Sequence, residues 1–342
     1  MARKKESETE TIVENKVLEI KDIEGVGPAL ATKLRDVNIT TVMQLAVADA
    51  YQLSQDLGKD RDVVSAIIHA ARDLLIENKV LDSQFMSGKD LLKKRQNILK
   101  CTTGSKALDT LLKGGLEAES ITEFYGEFGS GKSQICFTMC VLAQQPVSEG
   151  GLGGGVIYFD TEGTFRPERI QEICNARGLD AEKTLENMAI CKLDDASDLE
   201  LQIKGLGETV EKYNAKLVIV DSIIALHRAG FPGRGTLADR QQRLNILIHT
   251  VLHVAEKYKI AVIFTNQVAS SPDTFFGDPT KPTGGNIIGH AATYRVYLRK
   301  SGENRVAKMV DSPYHAYDEA RFTVNAKGID DVEEKKKRGF DE

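Results

Sequence analysis

One short segment, GEFGSGKS at 126–133, constrains the fold of this chain more than any other. It lies between a strand-like run at 121–125 and a helix-like run at 134–143, the setting typical of a phosphate-binding loop. In such a loop the glycines let backbone N–H groups converge on phosphates, Lys132 reaches the outer phosphates and the Ser133 hydroxyl binds Mg²⁺. The motif therefore predicts ATP binding. The predicted nucleotide-binding residues are Gly126, Glu127, Phe128, Gly129, Ser130, Gly131, Lys132, Ser133 and Gln134.

Composition limits the class of protein. The chain has 342 residues, enough for two domains, the larger with a full hydrophobic core. Hydrophobic residues make up 41% and charged residues 28%, and no apolar run is long enough to cross a bilayer, so we expect no membrane association. The N-terminal MARKK lacks a following apolar stretch, and the five cysteines include no Cys-x-x-Cys pair. These features predict a cytoplasmic protein.

Strand-like and helix-like segments alternate from Thr102 onward, which predicts an α/β core with a mostly parallel sheet covered on both faces. Strands are expected at 121–125, 156–159, 189–193, 217–220 and 260–265. Helices are expected at 167–177, 199–212 and 237–258. Both late strands, 293–299 and 305–310, are expected to be antiparallel additions to the sheet edge.

Several of these strands deliver polar side chains to one edge of the sheet. Asp221 ends an apolar strand and should hold Mg²⁺, directly or through water. Glu162 is the predicted general base for the water that attacks the γ-phosphate, and Asp160 is the competing carboxylate. The Gln267 amide could sense the γ-phosphate; the simpler alternative is that it only hydrogen-bonds the strand end. The predicted catalytic residues are Glu162, Lys132 and Gln267.

The rest of the chain divides by composition. We expect a charge-rich tail at 1–17, a small all-α domain at 18–80, a linker at 81–101, the ATPase core at 102–330 and a second tail at 331–342. In the helical domain, Gly25-Val26-Gly27 resembles a helix-hairpin-helix turn that can hold a DNA phosphate, the alternative being a domain that contacts only protein. Phe85 is an isolated aromatic residue in the linker, which either docks on its own domain or joins a neighbouring molecule's sheet.

Two segments, 228–236 and 268–288, are rich in glycine and proline and are expected to be long irregular loops. Because the net charge is −5, binding to nucleic acid requires local basic patches. Basic residues lie in or beside both segments, and Phe275 and Phe276 are apolar residues in the second. Such groups suit backbone neutralisation and base contact with single-stranded nucleic acid.

Taken in order, these motifs resemble those of the archaeal RadA and eukaryotic strand-exchange recombinases, relatives of bacterial RecA. The resemblance extends from Ile20 to Asp330. It rests on TTGS at 102–105, GEFGSGKS at 126–133, DTEGTFRPER at 160–169, LVIVDS at 217–222, PGRG at 232–235, DRQQ at 239–242, TNQV at 265–268 and GGNIIGHA at 284–291.

The resemblance implies a RecA-type ATPase that forms a helical filament on single-stranded DNA and pairs it with a homologous duplex in recombinational repair. ATP is then expected between protomers, with Arg169 stacking on adenine and Asp311-Ser312-Pro313 capping the neighbour's nucleotide, so Asp311 and Pro313 join the predicted cofactor-binding residues. The residues implied in DNA binding are Arg228, Arg234, Arg240, Phe276, Gly284, Gly285 and Asn286.

The resemblance also implies self-assembly. Phe85-Met86-Ser87-Gly88 resembles the polymerisation motif Phe-x-x-Ala, with Gly88 in place of alanine. A second departure is Tyr314-His315-Ala316-Tyr317 after the cap, where the family usually has Leu-Pro. Expected partners are single- and double-stranded DNA, further copies in a filament or ring, and recombination mediators.

Two other functions share this core fold. A non-polymerising paralogue that loads the recombinase should lack the N-terminal domain or the linker phenylalanine. A hexameric motor, acting as a helicase or regulator, has no need of the linker motif. The chain has both features, which favours the recombinase.

Overall fold

The computed structural model describes residues 18–83, 85–226, 237–270, 280–282 and 286–333. The chain divides into two compact units, Met1–Ser83 and Gln84–Glu342. One hydrophobic cluster forms the core of the first unit, and two clusters form that of the second.

The first unit consists of short helices around a core of leucine, isoleucine and valine side chains. Thr41, Asp49 and Asp60 each accept a hydrogen bond from a backbone N–H in the helix that follows, so their side chains start three of the helices. A 3-10 helix at Ile20–Asp22 precedes α1 Pro28–Asp36, α2 Val42–Val47, α3 Ala50–Leu57 and α4 Arg61–Glu77.

The turn before α1 is the predicted hairpin turn. Gly25 has φ +85°, a conformation that side chains other than glycine rarely adopt. Val26 is buried, while Gly27 is the N-cap of α1 and Pro28 its first residue. No side chain caps α1, so this helix start suits an anion.

The second unit is built on a twisted, mostly parallel sheet. Its strands are β1 Lys100–Cys101, β2 Leu116–Glu117, β3 Ser120–Gly126, β4 Gly155–Asp160, β5 Met188–Lys192, β6 Ala215–Asp221, β7 Ala261–Ser270, β8 Thr280–Pro282, β9 Tyr294–Ser301, β10 Asn304–Asp311, β11 Glu319–Asn325 and β12 Gly328–Asp331. The main sheet has the order β12-β11-β10-β9-β3-β7-β6-β4-β5, and β8 pairs with β7. Strands β1 and β2 form a separate antiparallel pair.

The second unit also contains helices, most of which pack on the two faces of this sheet. They are α5 Gly88–Gln96, α6 Lys106–Leu111, α7 Lys132–Leu142, α8 Pro167–Arg177, α9 Ala181–Glu186, α10 Ala196–Lys204, α11 Leu206–Lys212, α12 Leu237–Tyr258 and α13 Asn286–Ala291, with a 3-10 helix at Val147–Glu149. Along β6, Leu217 and Ile219 join the cluster beneath α7 and α8, whereas Val218 and Val220 join the cluster beneath α10 and α12. The alternation follows from the two-residue period of a strand, and it makes β6 apolar throughout.

The region around Gln267 differs from the prediction. Strand β7 continues through Gln267 to Ser270, so Gln267 lies inside a strand rather than after its end. Beyond it, β8 pairs antiparallel with the end of β7, and α13 follows. The expectation of an irregular 268–288 was therefore wrong at its two ends, because cross-strand pairing satisfies backbone groups that single-sequence patterns leave unassigned.

Two further expectations were wrong. The single helix expected at 199–212 is two helices, α10 and α11, which meet at Gly205, a poor helix former. Strand β9 is parallel to β3 and antiparallel only to β10, because the chain re-enters the sheet from the same end as β3. The basic part of the expected linker forms the helix α5, started by the Ser87 side chain.

Candidate functional site

A cavity of about 880 Å³ lies at the carboxyl edge of the parallel strands, above the loop that joins β3 to α7. Parallel α/β sheets commonly bind ligands at this edge. It is lined by Gly126, Glu127, Phe128, Gly129, Gly131, Lys132, Ser133, Gln134, Phe137, Glu162, Thr164, Arg166, Arg169, Asp221, Gln267, Val268, Arg305 and Val324. The three predicted catalytic residues and most of the predicted nucleotide-binding residues thus share one cavity.

The loop at 126–133 has the backbone geometry that its glycines predict. A Cβ atom on Gly126 would lie 2.2 Å from the carbonyl oxygen of Leu298, so no side chain fits there. Gly131 has φ +108° and is the N-cap of α7, which therefore begins without a side-chain cap. Backbone N–H groups at an uncapped helix start are a natural site for a phosphate.

Lys132 occupies the centre of this loop. Its Nζ donates hydrogen bonds to the carbonyl oxygens of Gly126 at 2.9 Å and Glu127 at 3.0 Å. Burial lowers the pKa of Lys132, and the nearby carboxylates of Asp221 and Glu162 partly oppose that shift. An ammonium group that is half buried and bonded only to neutral carbonyls is well suited to a phosphate. The buried Ser130 hydroxyl, for which no hydrogen-bond partner is found among the described residues, also fits such a ligand.

Asp221 ends β6 at the floor of the cavity and is 4% exposed. Its carboxylate accepts a hydrogen bond from Tyr158 at 2.7 Å and another from Thr265. Burial raises the pKa of Tyr158, and the charge of Asp221 raises it further, so the phenol remains a donor. These two hydroxyls hold the carboxylate in one orientation.

Ser133 and Asp221 both line the cavity, as the prediction of a Mg²⁺ site requires. Among the described residues, no group of three or more His, Cys, Asp or Glu side chains is arranged to hold a metal ion. A Mg²⁺ ion bound with a nucleotide does not need three protein side chains, because it takes most of its ligands from phosphates and water. A hydroxyl and a carboxylate beside a phosphate loop therefore fit this ion.

Glu162 is exposed to the cavity and held by two donors. The Ser222 hydroxyl donates to its Oε1 at 2.8 Å, and the Gln267 amide nitrogen donates to the same oxygen at 2.9 Å. The competing carboxylate has a different environment: Asp160 is 4% exposed and accepts the backbone N–H groups of Thr164 and Phe165, both at 3.0 Å. Of these two carboxylates only Glu162 lines the cavity, so the geometry favours Glu162 over Asp160 as the base.

Arg169 lies at the other end of the cavity. Its guanidinium donates to Gln134 at 2.9 Å, to Glu172 at 2.6 Å and to the carbonyl oxygen of Asn325. These contacts join α7, α8 and the β11–β12 turn and orient a planar cation beside Val324. In this position the plane of the Arg169 guanidinium is suited to stack on an aromatic base.

The predicted cap residues are not part of this cavity. Strand β10 runs antiparallel to β9, and its first residue lies near the phosphate loop while Asp311 lies at the opposite end of the sheet. Asp311 and Pro313 line a small separate depression instead. Within one chain the cap cannot reach the nucleotide site, so any contact between them requires a second copy.

Few of the predicted DNA-binding residues can be placed. Arg228, Arg234, Phe276, Gly284 and Gly285 lie outside the described residues. Arg240 is partly exposed on α12, and Asn286 begins α13.

The predicted polymerisation motif, residues 85–88, ends at the first residue of α5. Phe85 is 93% exposed, so it does not dock on the unit to which it belongs. Gly88 is the first residue of α5, and a Cβ atom there would meet nothing within 4 Å. An alanine side chain would therefore fit at position 88, so steric exclusion does not explain the glycine.

Sequence reasoning missed several residues that build the site. Tyr158 and Thr265 orient Asp221, Ser222 holds Glu162, and Arg305 lines the cavity from β10. A tyrosine or threonine in an apolar strand was a usable signal, since a buried hydroxyl needs a partner. Arg305 stands in an ordinary antiparallel strand and carries no such signal.

Comparison with known proteins agrees with the motifs. The Rad51 family model matches residues 94–332, and a model of the SAM-like helix-hairpin-helix tandem matches residues 17–73, which confirms the class of the N-terminal unit. The DNA repair and recombination protein RadA of Cenarchaeum symbiosum (strain A) is 47% identical over 317 residues, covering 92% of this chain and 80% of that protein. Over the described part of the chain, no helix has the length and apolar character needed to span a bilayer. The family match and this identity establish that the chain belongs to the Rad51 family of RecA-like recombinases.

Proposed function

We propose that this protein hydrolyses ATP to control a helical filament on single-stranded DNA, within which it pairs that strand with a homologous duplex. Members of its family are DNA-dependent ATPases. The observation that carries the proposal is the single cavity in which Lys132, Asp221, Glu162 and Gln267 meet. Such a cavity combines a phosphate cradle, a metal-binding carboxylate and a base, which are the parts that phosphoryl transfer to water needs.

In this proposal the loop at 126–133 and Gln134 hold the phosphates of ATP, and Lys132 exchanges its carbonyl partners for phosphate oxygens. Arg169 stacks on the adenine. Ser133 and Asp221 hold Mg²⁺, which, when bound, neutralises charge that develops on the phosphates. The hydroxyls of Tyr158 and Thr265 keep the Asp221 carboxylate in one orientation for this role.

Glu162 accepts the proton of the attacking water. The oxygen that would accept it now receives hydrogen bonds from Ser222 and Gln267. These two donors hold the base in one orientation until a water arrives. The Gln267 amide could then donate its hydrogen bond either to Glu162 or to a γ-phosphate. Its partner would therefore depend on whether ATP or ADP is bound.

The complete site needs two protomers. Asp311 and Pro313 lie too far from the cavity of their own chain to cap it, which supports a neighbour's cap over each nucleotide. Phe85 is an exposed aromatic residue suited to a pocket on the adjacent molecule. A chain of such contacts is head-to-tail and generates a filament or a ring.

DNA is proposed to bind through the two segments at 228–236 and 268–288, with mediators of recombination as further partners. Arg240 lies four residues after the first segment, and Asn286 lies within the second. All five cysteines are free, four of them buried, which fits the reducing conditions of the cytoplasm. We also propose that the chain consists of a tail at 1–17, a helical domain at 18–80, a linker at 81–101, an ATPase core at 102–330 and a second tail at 331–342.

Electron microscopy of the purified protein with single-stranded DNA and a slowly hydrolysed ATP analogue tests this function. We expect helical filaments that coat the DNA and disassemble in ADP. Closed hexamers that translocate along DNA would instead indicate a motor, and particles that remain monomeric would indicate a non-polymerising paralogue. Either result would contradict the proposal.

A further inference from the structure

Four basic side chains line the nucleotide cavity, and one of them has no assigned role. Lys132 bonds the phosphate-loop carbonyls, Arg169 bonds Glu172 and Gln134, and Arg166 bonds carbonyls of its own loop. The fourth, Arg305, belongs to none of the motifs by which the chain resembles its family. Its presence in the cavity is decided by the fold alone.

Few N–H donors of the Arg305 guanidinium have a hydrogen-bond partner among the described residues. Its Nη1 donates only to carbonyl oxygens of the turn before it, Glu303 at 3.2 Å and Asn304 at 3.0 Å. Its Nε is buried and has no hydrogen-bond partner among the described residues. Over the same part of the chain, no carboxylate lies within ion-pair distance of it. A buried donor on a cation normally has a partner, so an anionic ligand is the missing group.

The stem of Arg305 crosses the start of α7. Arg305 is the second residue of β10, at the edge of the sheet where β3 enters the phosphate loop. A Cβ atom on Gly131 would lie 3.6 Å from Arg305 Cγ and 3.8 Å from the Phe322 ring. Gly131 is the N-cap of α7, so the guanidinium lies beside the uncapped N–H groups that suit a phosphate.

The position of β10 identifies which phosphates are within reach. In the sheet, β10 and β6 lie on opposite sides of β3, so Arg305 faces the loop from the side away from Asp221. Val324, on the neighbouring strand β11, lines the same side of the cavity, where Arg169 contacts the β11–β12 turn. The γ-phosphate belongs near Asp221 and Glu162, and the base near Arg169. Arg305 thus lies along the part of the nucleotide between them.

We propose that Arg305 binds the α- or β-phosphate of the nucleotide and strengthens ADP and ATP binding by the same factor. The proposal rests on the nucleotide site described above and adds a residue to it. A guanidinium offers five N–H donors in a fixed fork that matches phosphate oxygens. Because the α- and β-phosphates are present in both ADP and ATP, loss of this contact should weaken the binding of both nucleotides by a similar factor.

Calorimetric titration of the full-length chain with Mg²⁺-ADP and with a slowly hydrolysed ATP analogue tests this. Arg305→Gln should weaken both ligands by about tenfold or more, the loss typical of one charge-assisted hydrogen bond. Arg321→Gln is the matched control. Arg321 is an exposed arginine on β11, opposite Val306, and its loss should change neither affinity.

Arg305→Met separates binding from packing, because it keeps the aliphatic stem on Gly131 but removes every donor. It should lose affinity as Arg305→Gln does and should keep the melting temperature of the unmodified protein. Full ADP affinity in Arg305→Met, or a loss confined to the ATP analogue, would overturn the proposal. If the unmodified protein bound neither ligand, the nucleotide site itself would be wrong, which is a different result.

Discussion

The Lys132 ammonium lies in the phosphate loop, where it is placed to bind a phosphate group. Its ammonium donates hydrogen bonds to two backbone carbonyls, and burial is the main cause of its lowered pKa. We predict that Lys132→Ala reduces ATP turnover by at least about a hundredfold, because the negative charge that develops on the phosphates is then uncompensated. Phosphate release with and without single-stranded DNA measures this. Lys183→Ala, an exposed lysine outside the cavity, is the control, and comparable activity in both variants would refute the phosphate-loop assignment.

Glu162 and Asp160 can be distinguished by substitution. Glu162→Gln keeps the side-chain shape but cannot accept a proton, so we expect ATP and DNA binding to persist while turnover falls by about a hundredfold or more. Asp160→Asn should act differently, because Asp160 accepts the N–H groups of Thr164 and Phe165 and its loss should loosen that loop. Nucleotide affinity and single-turnover rates measure both effects. If Asp160→Asn alone lost turnover with affinity intact, Asp160 would be the base.

Gln267 is predicted to couple the nucleotide to DNA. It lies on β7 beside Gly126, bonds Glu162, and is followed by the segment proposed to bind DNA. Linkage requires that ATP tighten DNA binding by the same factor by which DNA tightens ATP binding. We expect Gln267→Ala to bring both factors toward one while nucleotide affinity changes little.

Fluorescence anisotropy of labelled single-stranded DNA, with an ATP analogue and with ADP, measures this coupling. An unchanged ratio of the two affinities would mean that Gln267 only supports Glu162 at the strand end. The companion variant Arg234→Ala should weaken DNA binding for all sequences and reduce its salt dependence, as loss of a phosphate contact does.

At the scale of elements, α5 is attached to the core by charge rather than by packing. None of its residues is buried, and its ion pairs are Arg95 with Glu117 at 2.8 Å and Lys94 with Glu119 at 2.9 Å. Glu117 is 3% exposed and also accepts a hydrogen bond from Tyr294. Phe85 lies three residues before the start of α5. These ion pairs therefore fix the helix that follows the proposed polymerisation motif.

This attachment should depend on pH. Burial by itself would raise the pKa of Glu117, but hydrogen bonds from Tyr294 and Arg95 outweigh burial and lower it. A carboxyl group whose pKa is lower in the folded state stabilises that state above its unfolded pKa, and the contribution is lost as the pH falls through the folded value. Stability should therefore decline in acid below about pH 4.5 through this group.

Chemical denaturation at a series of pH values tests the prediction. Glu117→Gln should lower the free energy of unfolding by about 1–3 kcal/mol at neutral pH and flatten its decline in acid. Glu119→Gln is the matched control, because Glu119 pairs with Lys94 of the same helix α5; we expect it to cost less because the Lys94 side chain is 32% exposed and the Glu119 side chain 13%. Equal acid profiles for the unmodified and Glu117→Gln proteins would remove Glu117 from this role.

At the scale of the whole molecule, the exposed Phe85 is the feature that makes sense only in an assembly. We predict that Phe85→Glu converts filaments to monomers or small oligomers, because a buried aromatic anchor contributes about 2 kcal/mol or more and a carboxylate would be desolvated in its pocket. Light scattering measures polymer size, and the melting temperature should be unchanged because Phe85 is 93% exposed. Tyr51→Glu, at an exposed aromatic residue of the first unit, is the control. Unchanged polymers would exclude Phe85 from the interface.

Much of the fold was predictable because its signals are local. The helix at Pro167–Arg177 has proline at its start and glycine after its end, and both bounds were predicted. The apolar runs of β3, β4 and β6 identified a parallel sheet buried on both faces. The phosphate loop was predictable for the same reason, since backbone geometry at Gly126 and Gly131 admits only glycine.

What the sequence by itself determined is the set of elements whose causes lie within a few residues: the phosphate loop, the helix caps, and the carboxylates at strand ends. Only the tertiary structure decided which distant groups complete them. Tyr158 and Thr265 orient Asp221 across 63 and 44 residues, and Arg305 reaches the phosphate loop from a strand with no motif. The extension of β7 through Gln267 likewise depends on pairing with β8. Such contacts arise when the sheet brings strands side by side, and no spacing along the chain encodes which strand becomes the neighbour.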